Sequence, residues 1–158
     1  MGAKSSFFRG CLVARALSTS ELTPAPAAVT PPAILVVDDD KLARHTLRHM
    51  LEHAGFTVIL AASGRQALRT FQERPFAAVV TDIMMPSMDG LRLIRELLAL
   101  QPSAGIVAIS GAERRLEVAR QGGAKAVLRK PIDLADLVQA VRLLTGQPVA
   151  AVTEPVPG

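Results

Sequence analysis

Phe76-Ala77-Ala78-Val79-Val80-Thr81-Asp82 is an apolar run that ends on an acid, and the turn Ile83-Met84-Met85-Pro86-Ser87-Met88-Asp89-Gly90 follows it. The run has the length and composition of a strand covered on both faces, as parallel strands are. The pattern recurs along the chain. Asp38 and Asp39 end Ile34-Leu35-Val36-Val37, Ser110 ends Ile106-Val107-Ala108-Ile109, and Lys130 follows Ala126-Val127-Leu128. Four apolar runs therefore carry acids, a hydroxyl and an ammonium to their carboxyl ends. Open α/β sheets bind ligands along that edge.

Working outward, strands are expected at 33–37, 56–61, 76–81, 105–110 and 124–128, and helices at 41–54, 63–73, 89–100, 112–121 and 133–145. Strands separated by helical segments imply parallel βαβ units. Five such units make an α/β doubly wound sheet rather than a barrel, which needs eight. The first helix bears this out arithmetically. Ala43, Leu47, Met50, Leu51 and Ala54 fall within an arc of roughly 100° at helical pitch, and Gly55 stands where helices often stop. His45, His49 and His53, all the histidines of the chain, fall on the opposite side. Their spacing suits either a transition-metal site or an exposed face, and the exposed face is the expectation.

Residues 33–146 are thus expected to form one domain. Residues 1–32, which end in a Pro/Ala-rich stretch, and residues 147–158 are expected to be disordered extensions. The first twenty residues hold three basic residues and no acid, which loosely fits a transit peptide, and Met1-Gly2-Ala3-Lys4-Ser5-Ser6 loosely fits a myristoylation signal. A plain disordered extension is the expected reading. The 49% of apolar residues excludes a wholly disordered chain. The net charge of +4 is spread along the chain, and five Phe with no Trp or Tyr make a poor base-stacking surface, so no nucleic-acid partner is expected for this chain alone. Cys11 is the single cysteine, which fits a reducing, cytoplasmic setting. No apolar run approaches the length of about 18 residues that spans a membrane.

Three adjacent carboxylates, Asp38-Asp39-Asp40, repel one another unless a cation neutralises them. Oxygen donors without His or Cys point to a hard divalent ion, with Mg²⁺ leading. Asp82 is a candidate nucleophile toward phosphorus, with the Lys130 ammonium as a counter-charge and Ser110 as a hydrogen-bond donor to a phosphoryl oxygen. Each of these residues alone has an ordinary alternative: an N-cap, a turn-initiating Asp, a solvated Lys. Their order at successive strand ends is what favours phosphoryl chemistry.

Ile34-Leu35-Val36-Val37-Asp38-Asp39-Asp40, Asp82 through Gly90, Ile109-Ser110-Gly111 and Lys130-Pro131 resemble the four motifs of response-regulator receiver domains, across residues 33–146. The resemblance implies a flavodoxin-like (βα)₅ fold and an Mg²⁺-dependent receiver that takes phosphate from the phosphohistidine of a histidine kinase or histidine phosphotransfer protein. It further implies Asp82 as phosphoacceptor and metal ligand, Asp39 as direct Mg²⁺ ligand, and Asp38 as a ligand through water. Met84 would lend its backbone carbonyl, Ser110 would be the switch hydroxyl, and Lys130 would sit beside the phosphate. A cis peptide before Pro131 is implied as well. Many receivers carry Tyr or Phe three residues before the lysine, whereas Val127 stands there here, so the usual aromatic readout is not expected. Met84 and Ala112 occupy positions that in the family influence hydrolytic water, and neither can orient it. In the family, the first helix commonly touches the phosphodonor, which would bring Arg44, His45 and Arg48 to that contact. Output is expected through binding of an unknown partner protein, from a stand-alone receiver that performs self-catalysed transfer and is not an enzyme in the usual sense. Two rivals remain. Asp38 and Asp40 form the Asp-x-Asp of a haloacid-dehalogenase-type phosphatase, although Asp133 and Asp136 then fall on a helix and the Asp82 turn has no role. The other is a receiver-like interaction module that works without phosphate.

Overall fold

The strands are short because each needs only about five residues to cross the core, and alternate side chains serve opposite faces. The computed structural model describes residues 33–147. The expectations for residues 1–32 and for 148–158 lie outside the described residues. The elements run β1 (Ala33–Val37), α1 (Lys41–His53), β2 (Thr57–Ala61), α2 (Gly64–Glu73), β3 (Ala78–Asp82), α3 (Gly90–Leu100), β4 (Ile106–Ser110), α4 (Glu113–Gln121), β5 (Ala126–Arg129) and α5 (Leu134–Thr145). All neighbouring strands pair in parallel, in the order β2-β1-β3-β4-β5.

Leu35, Val37, Val79, Ile106 and Ala108 point into one core with Ala67, Leu93, Ile94, Leu97, Leu116 and Ala119 of α2, α3 and α4. Ile34, Val36, Val80, Val107 and Ile109 point into the other, with Leu47 and Leu51 of α1 and Leu137, Ala140 and Val141 of α5. Burying each such branched side chain contributes roughly 1.5–3 kcal/mol, which is why the central strands are apolar until their last residues.

Helix α1 closes as its sequence suggests. Gly55 adopts φ 93°, its N–H donates to the Glu52 carbonyl, and the Phe56 N–H donates to the Leu51 carbonyl while both side chains enter one core. Of the histidines, His49 and His53 are exposed and His45 is half-buried, as expected for an outer face.

Two strands start two residues later than expected, and the other strand boundaries agree within one residue. β5 begins at Ala126 rather than 124, because the Ala124 N–H closes α4 by donating to the Ala119 carbonyl. β3 begins at Ala78 rather than 76. Phe76 belongs to the preceding connection, where its ring stacks on Phe71 at a centroid distance of 6.1 Å. At the other end β3 includes Asp82, paired with Ile109 of β4.

Candidate functional site

The strand order reverses at β1, whose neighbours are β2 on one side and β3 on the other. The edge outside such a reversal is a crevice between two sets of connections. Asp38 leaves β1 there and Asp82 ends β3 beside it. The Asp38 N–H still donates to the Ala61 carbonyl at 3.3 Å, so the ladder holds the acid to the sheet edge. The carbonyl of Asp82 accepts the Thr81 hydroxyl at 2.9 Å, and the next N–H, of Ile83, donates to Ile109 of β4 at 2.9 Å.

Both acids are almost fully buried, Asp38 at 2% and Asp82 at 3% exposure, whereas Asp39 is exposed. One carboxylate oxygen from each of Asp38, Asp39 and Asp82 lies within 4.8 Å of the other two. Lys130 Nζ approaches Asp82 Oδ1 to 2.9 Å and Asp38 Oδ2 to 3.7 Å. The ammonium pairs with Asp82 at hydrogen-bonding distance, and no other donor among the described residues reaches that buried oxygen. Three converging carboxylate oxygens, one of them buried with a single ammonium as its donor, suit a hard divalent cation. One ammonium does not neutralise three carboxylates.

Burial pushes the Asp38 carboxyl above its ordinary range, and the neighbouring charges of Asp82 and Asp39 push the same way. The Asp40 N–H, which donates to Asp38 Oδ1 at 2.9 Å, and the Lys130 charge oppose this without cancelling it. For Lys130, burial works against the ammonium, but the adjoining carboxylates, Asp82 and then Asp38, outweigh it and raise its pKa.

Ser110 is fully buried at the end of β4. Its carbonyl accepts the Lys130 N–H at 3.0 Å, which ties the hydroxyl and the lysine to one edge. Its Oγ accepts the Ala112 N–H at 3.1 Å, so the hydroxyl proton is left to donate elsewhere. Met84 lies two residues past Asp82 with its side chain 55% exposed. The Lys130–Pro131 peptide is cis. Asp40 takes a different part from Asp38. It caps α1, its Oδ1 accepting the N–H groups of Leu42 at 2.7 Å and Ala43 at 3.3 Å. An Asp engaged that way is poorly placed as the acid of an Asp-x-Asp pair.

Two contributors were not read from the sequence. A β-carbon on Gly90 would overlap the Asp82 carbonyl oxygen and lie 2.7 Å from Ile83 Cα, so the turn after Asp82 closes only around glycine. The Asp-Gly pair signalled a turn, but not what the glycine abuts. Arg44 donates from one guanidinium nitrogen to the carbonyls of both Asp38 and Asp39, and no local signal marks it.

Comparison with known proteins agrees with this fold. The family model "Response regulator receiver domain" matches residues 34–142. The C4-dicarboxylate transport transcriptional regulatory protein DctD of Rhizobium meliloti is 38% identical over 113 residues, covering 70% of this chain and 25% of that protein. Response regulator MprA of Mycolicibacterium vanbaalenii is 37% identical over 116 residues, covering 72% of this chain and 50% of that protein. The chain therefore spans between a quarter and a half of these relatives' lengths. A response regulator receiver domain from Clostridium thermocellum superposes with a TM-score of 0.70 at 28% identity, over 73% of this chain and 94% of that one. A Vibrio cholerae chemotaxis protein, CheY4, superposes with a TM-score of 0.67 at 25% identity, over 72% of this chain and 98% of that one. With more than half its length matched by that family model and the five-stranded parallel sheet in place, the chain belongs to the response-regulator receiver family, the signalling modules of two-component systems.

Proposed function

We propose that Asp82 accepts the phosphoryl group of a phosphohistidine on a histidine kinase or histidine phosphotransfer protein. The observation that carries this is the state of Asp82 Oδ1: buried, 2.9 Å from the Lys130 ammonium, and reached by no other donor among the described residues. A carboxylate oxygen held beside a cation at the sheet edge is a nucleophile placed for attack on phosphorus. A carboxylate oxygen forms the bond to phosphorus as the bond from phosphorus to the imidazole nitrogen breaks. The imidazole leaves with that electron pair and the product is an aspartyl-phosphate.

Asp38, Asp39 and Asp82, with the Met84 carbonyl, would hold Mg²⁺, Asp38 through a water. When bound, the ion supplies positive charge against the transferring oxygens. Lys130 keeps its charge throughout, since its neighbours raise its pKa. The Ser110 hydroxyl, whose proton is uncommitted, donates to a phosphoryl oxygen and so feels whether phosphate is present. The receiver turns over only its own modification, so the transfer is self-catalysed rather than an enzyme's reaction on a separate substrate. Output is a changed affinity for a partner protein, in the cytoplasm.

Intact-mass measurement after incubation with a small acyl phosphate and Mg²⁺ tests this. A gain of one phosphate that disappears in Asp82→Asn is the expected result. A gain that survives Asp82→Asn and is lost in Asp38→Asn would instead support the dehalogenase-type reaction. No gain in any variant would leave a phosphate-independent module.

A further inference from the structure

The segment 38–40 lies between β1 and α1, where neither a ladder nor a helix orders the carbonyls of Asp38 and Asp39. A single residue, Arg44, takes all three carbonyls of the segment. Its Nη1 donates to Asp38 O at 2.6 Å and to Asp39 O at 3.0 Å, and its backbone N–H donates to Asp40 O at 3.0 Å. We infer that Arg44 is a positioning residue for the acidic cation site, acting through the peptide planes of Asp38 and Asp39 rather than through its charge.

Three observations favour this. First, the guanidinium bonds the carbonyls although three carboxylates lie nearby. Second, the Asp38 carboxylate is restrained by the Asp40 N–H and by Lys130, whereas the Asp39 side chain is exposed and takes part in no side-chain hydrogen bond among the described residues. Clamping the carbonyls on either side of Asp39 fixes its backbone torsions, and with them the direction of its side chain. Third, a cation reaching back over the first turn of a helix opposes the helix dipole, so the position needs a compensating purpose. A residue that orients metal ligands from behind is such a purpose.

The inference rests on the proposed cation site, and its sign makes it testable. A guanidinium near the site repels a divalent ion. If Arg44 acted by charge alone, removing it would tighten Mg²⁺ binding. If it positions Asp39, removing it weakens binding. Titration of Mg²⁺ into full-length wild type, Arg44→Ala and Arg44→Lys by calorimetry reads this directly. We expect affinity to fall about tenfold in Arg44→Ala, the scale found for groups that orient metal ligands. Arg44→Lys keeps the charge, but its nitrogen lies one bond nearer the main chain than Nη1 and reaches the two carbonyls less well. It is expected to lose most of the same affinity, and it serves as the deciding variant if Arg44→Ala does not fold. Labelling of Asp82 should recover at saturating Mg²⁺ in either variant. Affinity unchanged or tighter in both variants overturns the inference, as does a labelling rate that saturating Mg²⁺ fails to restore. Wild type that binds Mg²⁺ but gains no phosphate would overturn the phosphoacceptor reading and leave this one standing. Wild type that binds no Mg²⁺ would overturn both.

Discussion

Gly90 closes the turn after β3 so tightly that a β-carbon there would overlap the carbonyl oxygen of Asp82. The Gly90 N–H donates to Ile83 O at 2.9 Å, which pulls the start of α3 against the residue that follows the acceptor. Gly90→Ala must therefore move backbone, and flexible side-chain ends cannot absorb it. Denaturant unfolding should show a loss of about 1–3 kcal/mol, the usual cost of forced overpacking. Phosphorylation should slow with it, since the displaced group is Asp82 itself. Gly111→Ala, with nothing within 4 Å of the added carbon, should stay within about 0.5 kcal/mol.

Asp40 serves the helix, not the cation cluster. Asp40→Ala removes the side-chain acceptor for the N–H groups of Leu42 and Ala43. A loss of about 1 kcal/mol in stability is expected, as for other N-caps. Mass labelling at Asp82 should persist in the same variant. Loss of labelling without loss of stability would point back to Asp40 as an acid.

The raised pKa of Asp38 has a definite sign in stability. The folded protein binds this proton more tightly than the unfolded chain, whose carboxyl titrates near the ordinary value of 3.8. Asp38's contribution to the metal-free protein is therefore largest below that value. It falls as pH rises from there through the folded pKa. Melting curves should show that fall in wild type and its absence in Asp38→Asn. Mg²⁺ affinity should rise over the same window, because the ion requires the carboxylate. Lys130 acts at the other end of the scale. Its contribution is complete below its ordinary 10.5 and is lost as pH rises through its higher folded value.

The aspartyl-phosphate should be long-lived. The side chains of Met84 and Ala112 are exposed and neither carries a strong hydrogen-bonding group that could hold an attacking water. Radiolabel on purified phosphoprotein should decay over minutes or longer, and Met84→Asn should speed the decay. Disappearance within seconds, with no phosphatase present, would contradict this.

Val127 leaves space where many receivers hold a ring. It borders a cleft of about 440 Å³ with Leu116 beside it and Glu113, Arg114 and Arg129 around the rim. Val127→Phe should fold with less than about 1 kcal/mol of penalty, because the added ring enters open volume and does not compress a filled core. A larger loss on denaturant unfolding would show that the cleft is not available to the side chain.

Much of this molecule could be read before any coordinates. The five apolar runs and the helical stripe of α1 are local patterns of burial, and they carry over almost residue for residue. The misplaced starts of β3 and β5 share one cause. Phe76 and Ala124 are buried apolar residues, so they read as strand, but one packs from a connection and the other ends a helix. Burial alone does not say which backbone bond an N–H makes.

The acids, the hydroxyl and the ammonium are identifiable from sequence because a polar group ending an apolar strand has only the sheet edge to occupy. Their convergence is a different matter. It depends on the strand order β2-β1-β3-β4-β5, which sets β1 directly beside β3 and so brings Asp38 against Asp82. The parts of Arg44 and Gly90 likewise emerge only once the chain is folded. One acts through carbonyl oxygens that every residue possesses, and the other through the atom it lacks. Side-chain chemistry is written in the residue type, whereas backbone contacts between distant segments exist only after packing has placed them.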